Sequence, residues 1–315
     1  MAGPTSVSAL IHSSTLITAG VFLLIKFSIF FQVSKITNFF IIFFSLLTLF
    51  FISITGCFQN DLKKIIAFST SSQLGWIFII CGFLNYKEGL YHILTHGFTK
   101  SSIFLICGLV IHVVYIEQDI RKMGGLVIIS QKNYLFICIS LLSLIGIPFL
   151  SLFYSKELIL ESILISNFKY SLISFHFITI SIILTSWYSI KLWFFIFYKK
   201  PNNSKPIYIF QEYLYKKSYI VIFFLILLCI FSGFFLKEFF STNSNFCIFF
   251  DTFFNFSAHY TKNFYIFKCL IKTGIIFYIL NKSWHIKIGA DNSNRHGKNP
   301  VFKLNGRVLR KTVTA

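Results

Sequence analysis

Long apolar runs separated by short polar segments dominate this chain from its first residues to about residue 280. A helix crossing a bilayer needs about 20 predominantly apolar residues. Eight segments meet or approach that requirement: roughly 8–30, 39–58, 64–84, 89–115, 133–165, 170–198, 219–240 and 262–280. The fifth is too long for one straight span and contains Gly146 and Pro148. Proline removes a backbone donor and crowds the preceding turn, so this helix is predicted to break near 146–151. A break at membrane depth survives only against protein or water, and such breaks often line ion paths. The pattern predicts an all-α polytopic membrane protein. Four regions are expected: 1–132, helices one to four with a central polar axis; 133–198, the broken helix and the one after it; 199–280, the last membrane helices; and 281–315, a basic, polar and disordered tail.

Composition strengthens the membrane reading. Of 315 residues, 56% are hydrophobic and only 12% charged, where a soluble domain carries about 25% charged residues. The net charge of +19 would suggest nucleic acid in a soluble protein. In this chain the basic residues gather instead at 59–64, 116–132, 199–218 and 281–315. With eight spans, those segments share one side, which the positive-inside rule makes the inner one. Membrane lipid is the expected surrounding, and no nucleic-acid partner is expected.

Cysteines 57, 81, 107, 138, 229, 247 and 269 are scattered singly, without ligand spacing, so no metal or iron–sulfur site is expected. No glycine-rich phosphate loop, dinucleotide fingerprint or nucleophile constellation occurs either. No cofactor and no redox chemistry are therefore assigned to this chain.

Ionisable groups inside the spans are the candidate chemistry, because such groups are costly in a bilayer and mark pathways by default. His92, His96 and Lys100 stand at i, i+4 and i+8 of the fourth span. Neighbours are about 6 Å apart along the axis, and the three fall within roughly 80° of one face. Imidazole both accepts and donates protons, so the stripe suits a proton relay. A polar seam that glues helices together is the competing reading. His12 lies beside Ser13, Ser14, Thr15 and Thr18 and fits either a relay or a structural hydrogen bond. Lys156, followed by Glu157, stands just after the expected break. It suits a charge-switching base, or a lysine snorkelling to the interface. Asp61 and Lys63, at the start of the third span, fit a path entrance or ordinary loop charges.

Several of these residues also carry a resemblance. Met1 to His12 (MAGPTSVSALIH), Gln59 to Lys64 with Ser69 to Gly75, His92 to Lys100, Gln118 to Gly125, and Pro148 to Lys156 follow one another in an order that resembles the mitochondrial chain 5 family of NADH–ubiquinone oxidoreductase, respiratory complex I. The resemblance covers about residues 1–200. It implies an antiporter-like helix bundle in which His12, His92, His96 and Lys100 form the central hydrophilic axis. It also makes Lys156 the lysine of the second broken helix, with Asp61 and Lys63 as further charged positions of the proton pathway. The implied protein is a multi-pass proton-translocating subunit of the mitochondrial inner membrane, working with other membrane-arm subunits. As an enzyme it would be a subunit of proton-translocating NADH:ubiquinone reductase, with NADH, FMN, iron–sulfur clusters and ubiquinone handled by partner subunits. Departures include Ser6 where the family commonly has proline, and a more polar surround at Gly97 to Ser101. The family pattern begins upstream of Met1, so the N-terminal helices with the first half-channel's glutamate and lysine are expected to be missing from this chain. The alternatives are a stand-alone cation/proton antiporter subunit and a truncated, non-transporting fragment.

Overall fold

In the computed structural model, residues 3–11, 15–114, 117–166, 168, 170–200 and 216–241 are described. His12, the expected span at 262–280 and the tail at 281–315 lie outside them. The described elements are all helical: α1 (Thr5–Leu10), α2 (Leu16–Lys26), α3 (Ser28–Val33), α4 (Lys35–Phe58), α5 (Leu62–Gly82), α6 (Tyr86–Val113), α7 (Leu126–Ile129), α8 (Gln131–Ile145), α9 (Ser151–Ile165), α10 (Ser171–Phe197) and α11 (Lys216–Ser241). Among the described residues, five stretches are long and apolar enough to cross a membrane: α4, α5, α6, α10 and Ser218–Lys237 of α11.

Burial orders these helices. The apolar windows of α5 and α6 are 78% and 67% buried, those of α4 and α11 only 33% and 28%. α5 and α6 therefore form the centre, with α4 against α5, α10 against α4 and α8, and α8, α9 and α11 against α6. The outward faces of α4 and α11 carry bare aromatics such as Phe43, Phe44, Phe51, Phe224 and Phe235, which suits hydrocarbon rather than water. Hydroxyls within the spans bond back to carbonyls of their own helices. Ser45 to Ile42, Ser140 to Phe136, Ser181 to Ile178 and Ser189 to Ser186 are examples. Such bonds satisfy the hydroxyl without water, and the small side chains let helices approach closely.

The fifth apolar run breaks where the sequence predicts. α8 ends at Ile145, Gly146 turns left-handed at φ +89, and α9 begins at Ser151. Along the first apolar run α1, α2 and α3 are described, and residues 12–14 between α1 and α2 lie outside the described residues. Thr15 donates to Leu10 O at 3.2 Å and Thr18 to Thr15 O at 3.1 Å. Gly233 on α11 packs so closely on α9 that an added Cβ would lie 2.5 Å from Ser151 Cα. At one end of the bundle Lys191 of α10 donates to Cys57 O at 2.9 Å and Gln59 O at 2.8 Å, capping the last turn of α4.

Candidate functional site

The α6 stripe faces inward at the bundle centre. His92, His96 and Lys100 are each at most 2% exposed, and Lys156 of α9 is 1% exposed. Four of the residues singled out from sequence are thus buried between α5, α6 and α9. The rings of Trp76, His92 and His96 stand nearly parallel, with centroids 6.2 and 6.1 Å apart. Trp76 is held by an Nε1–H bond to Ser181 Oγ at 3.1 Å.

Each basic group has a hydroxyl or carbonyl beside it. His92 Nδ1 shares a 2.9 Å hydrogen bond with Ser155 Oγ, and Thr95 Oγ1 donates to the same oxygen at 3.2 Å. Lys100 Nζ donates to Ser69 Oγ of α5. Lys156 Nζ reaches back across the helix break to Leu144 O at 2.6 Å and more loosely to Ile145 O at 3.5 Å. It also lies 5.6 Å from the centre of the Trp76 ring. The last carbonyls of α8 have lost their helical partners and carry the negative end of the helix dipole. The break therefore supplies acceptors for an ammonium at a depth where none would otherwise exist. Gly146 makes room as well, since an added Cβ would come within 3.3 Å of Lys156 Cδ.

The Nε2 atoms of His92 and His96 have no protein partner among the described residues. With centroids 6.1 Å apart, the rings are not in direct hydrogen-bond contact. A proton passing between them needs an intervening hydroxyl or water.

Asp61 and Lys63 stand elsewhere. Asp61 is ion-paired with Lys64 at 2.7 Å, both partly exposed, and Lys63 Nζ donates to Gly3 O at 3.2 Å. The adjoining backbone pairs with the 117–122 segment: Leu62 N–H to Gln118 O at 2.9 Å, Ile120 N–H to Asn60 O at 3.0 Å. Asp119 receives Arg121 Nη2 at 2.7 Å, and this guanidinium holds its carboxyl below the usual carboxylate range. The two charged motifs together build a polar platform at one end of the bundle, apart from the column.

Sequence reading missed several members of the site. Glu88 stands one turn before His92, at the spacing of the stripe itself, with Ser162 and Glu161 of α9 nearby; its Oε2 is buried without a hydrogen-bond partner. That i−4 spacing was a usable signal. Trp76 and Ser155 had none, because an aromatic or a serine in an apolar helix is ordinary. Outside the column, Lys191 at the bundle end is a lone cation inside an apolar run, a signal that sequence reading also missed.

Residues 1–190 match the family described as NADH:quinone oxidoreductase/Mrp antiporter, TM. Curated relatives named NADH-ubiquinone oxidoreductase chain 5 include that of Acanthamoeba castellanii, 43% identical over 243 residues, which is 76% of this chain and 36% of the relative. That of Chondrus crispus is 44% identical over 248 residues, 76% of this chain and 37% of the relative. The Arabidopsis thaliana protein of the same name is 45% identical over 207 residues, 65% and 30% of the two chains. This chain thus spans about a third of the length of these relatives. Among solved structures, a chain of the Mrp complex from Dietzia sp. DQ12-45-1b aligns at TM-score 0.49 with 22% identity, over 53% of this chain and 31% of that one.

Proposed function

We propose that this chain, which belongs to the NADH:quinone oxidoreductase/Mrp antiporter transmembrane family, forms part of the proton-translocating membrane arm of a respiratory NADH–ubiquinone oxidoreductase. It moves protons along the column of α6 and α9. The observation that carries the reading is the burial of His92, His96, Lys100 and Lys156 around a helix break. A purely structural core has no use for four basic groups at that depth.

The mechanism follows from the contacts. As an ammonium, Lys156 is held by the freed carbonyls of α8. On losing its proton the amine keeps N–H donors but loses the charge-assisted part of that attraction, which weakens its hold on the break. Ser155, its neighbour in α9, connects the break to His92. A hydroxyl both accepts and donates, so it passes a proton without holding charge. Along α6 the steps from His92 to His96 and on to Lys100 run through interposed water or hydroxyls, with Ser69 receiving Lys100. Glu88 extends the same stripe toward the opposite end from the platform. Like charges repel strongly at low dielectric, so the occupancies of Lys100 and Lys156 are coupled.

The drive comes from partner subunits that hold FMN and iron–sulfur clusters and react with NADH and ubiquinone; this chain contributes no cofactor. The setting is the mitochondrial inner membrane, with the chain crossing several times, its basic platform on the inner side, and other membrane-arm subunits beside it. We also assign His12 a role in proton transfer, on the strength of the family match over residues 1–190. The test is Lys156→Met in the assembled complex, reading protons moved per electron pair in sealed vesicles. Loss of proton transfer with retained assembly is expected. Wild-type stoichiometry would overturn the role of the column. Purification of the chain in an active antiporter free of any quinone-reducing partner would favour the stand-alone antiporter instead.

A further inference from the structure

Lys100 lies deep in the bundle and bonds to Ser69 of α5. Ser69 stands about 10 Å of helix rise inward from Leu62, at the platform end of that helix. A second buried hydroxyl stands beside Ser69. Tyr188 of α10 is 2% exposed, and its ring lies against Gly56 near the end of α4, where an added Cβ would meet Tyr188 Cδ1 at 3.6 Å. The hydroxyls of Ser72 and Ser69 are its polar neighbours on α5, and the Cys57 thiol is its neighbour on α4.

Buried polar groups are nearly always bonded, yet none of the described residues closes a hydrogen bond to the Tyr188 oxygen. Ser69 and Ser72 give their own protons to Ile66 O at 2.7 Å and Ser69 O at 3.0 Å. A hydroxyl oxygen has two lone pairs, so both serines can still accept. On the other side, Cys57 leads toward the bundle end. Its side chain is only partly buried, and Lys191, one turn beyond Tyr188 on α10, donates to the Cys57 and Gln59 carbonyls. Neighbours therefore run in order from a partly exposed position at the end of α4, over Tyr188, to Ser69 and Lys100.

We propose that the Tyr188 hydroxyl is the inlet of the column, passing protons from the platform end of the bundle to Lys100; the assignment rests on the reading of the column as a proton path. A proton arriving from water at the Cys57 end bonds to the Tyr188 oxygen. The phenolic proton passes to Ser69 Oγ, and the proton that Ser69 had directed at Ile66 O goes to the neutral Lys100 amine. One O–H bond forms and one breaks at each oxygen, so a single proton moves inward and only Lys100 gains charge. Rotation of the two hydroxyls restores the starting state. No phenolate forms, which suits a site where an isolated charge is costly. The open hydrogen-bonding position of Tyr188 has a use in this scheme, since a phenol locked to one acceptor would not turn between the Cys57 side and Ser69.

The experiment compares Tyr188→Phe, Tyr188→Ser and Lys156→Met in the assembled complex, reading protons moved per electron pair in sealed vesicles. Lys156→Met gives the share of proton transfer that depends on the column. Tyr188→Phe keeps the ring on Gly56 and should assemble as the wild type does. It should nevertheless remove about nine-tenths of that share, the scale of losing one positioned proton-transfer group. Tyr188→Ser restores a hydroxyl and opens space for water, at the expense of packing. It should therefore melt lower than Tyr188→Phe yet move more protons. A relay orders the two variants by their hydroxyl, whereas a packing role orders them by volume. Transfer in Tyr188→Phe equal to or above that in Tyr188→Ser would overturn the proposal. Failure of Tyr188→Phe to assemble would do the same, because the hydroxyl would then be a structural bond. Loss of transfer in Lys156→Met but not in Tyr188→Phe removes the inlet and leaves the column standing; retention in Lys156→Met removes the column and the inlet with it.

Discussion

Two groups of charged residues occupy this bundle under opposite conditions. The column of α6 and α9 holds its lysines and histidines at no more than 2% exposure. The platform formed by 59–64 and 117–122 holds ion pairs at the bundle end, with Arg121, Lys64 and Lys122 more than half exposed. A charge change costs little on the platform, because water compensates it. In the column the same change is felt by every neighbour. The difference separates residues suited to moving a proton under control from residues suited to fastening loops. Asp61 is among the exposed platform charges, whereas Lys63, at the same end, is only 7% exposed.

The largest expected effect tests the column directly. Lys100→Met keeps the length of the side chain and deletes its ability to carry a proton. We expect coupled proton transfer to fall by at least about tenfold, the scale of losing one positioned proton-transfer group. Assembly, followed by native electrophoresis, should persist. Asp61→Asn is the matching change on the platform, and proton transfer should stay within about twofold, since exposed pairs contribute little. Equal losses in both variants would erase the distinction.

Gly146→Ala probes the break that links the two halves of the column. Gly146 adopts φ +89, and the new methyl would press on Lys156 Cδ at 3.3 Å. A left-handed alanine costs about 1–2 kcal/mol, and relief comes most readily by moving Lys156 off Leu144 O. A lowered melting temperature together with weakened coupling is expected. A lower melting temperature with unaltered coupling would make the break structural only.

His92→Ala and His96→Ala should each interrupt the same path. The double variant should then be little worse than the worse single one, because a relay cut once is already cut. Additive losses accompanied by poor assembly would assign the two rings to helix packing.

Legibility in the sequence followed locality. Gly146 and Pro148 act on their own backbone, and the break falls between Ile145 and Ser151, as that chemistry requires. The i, i+4, i+8 stripe of α6 is likewise a property of one helix. Ser155, Ser69 and Trp76 enter the site through the register between helices, which no local spacing encodes. Depth was illegible too: Lys63 and Lys100 both sit in α-helical polar surroundings, yet one reaches Gly3 O at the bundle end and the other Ser69 at its centre.

The smallest expected effect concerns how the platform responds to acid. Arg121 binds the Asp119 carboxylate through its guanidinium and its backbone N–H, and holds that carboxyl below its ordinary value. A carboxyl with a depressed folded value favours the native arrangement fully above its unfolded value of about 3.9. That contribution fades as pH falls through the depressed folded value. The element it supports is narrow: Leu62 N–H on Gln118 O and Ile120 N–H on Asn60 O join the two segments. Amide exchange at Leu62 and Ile120 is therefore the reading to take, on wild type and Asp119→Asn side by side at each pH. Near neutrality the variant should exchange faster at both amides. The gap should narrow only in acid, below about pH 4, as protonated aspartate comes to resemble asparagine. A gap that persisted unchanged to low pH would mean that the pairing of 59–62 with 117–122 owes nothing to the Asp119 charge. Proton transfer along the column should be the same in both proteins throughout, and any parallel loss there would join the platform to the path.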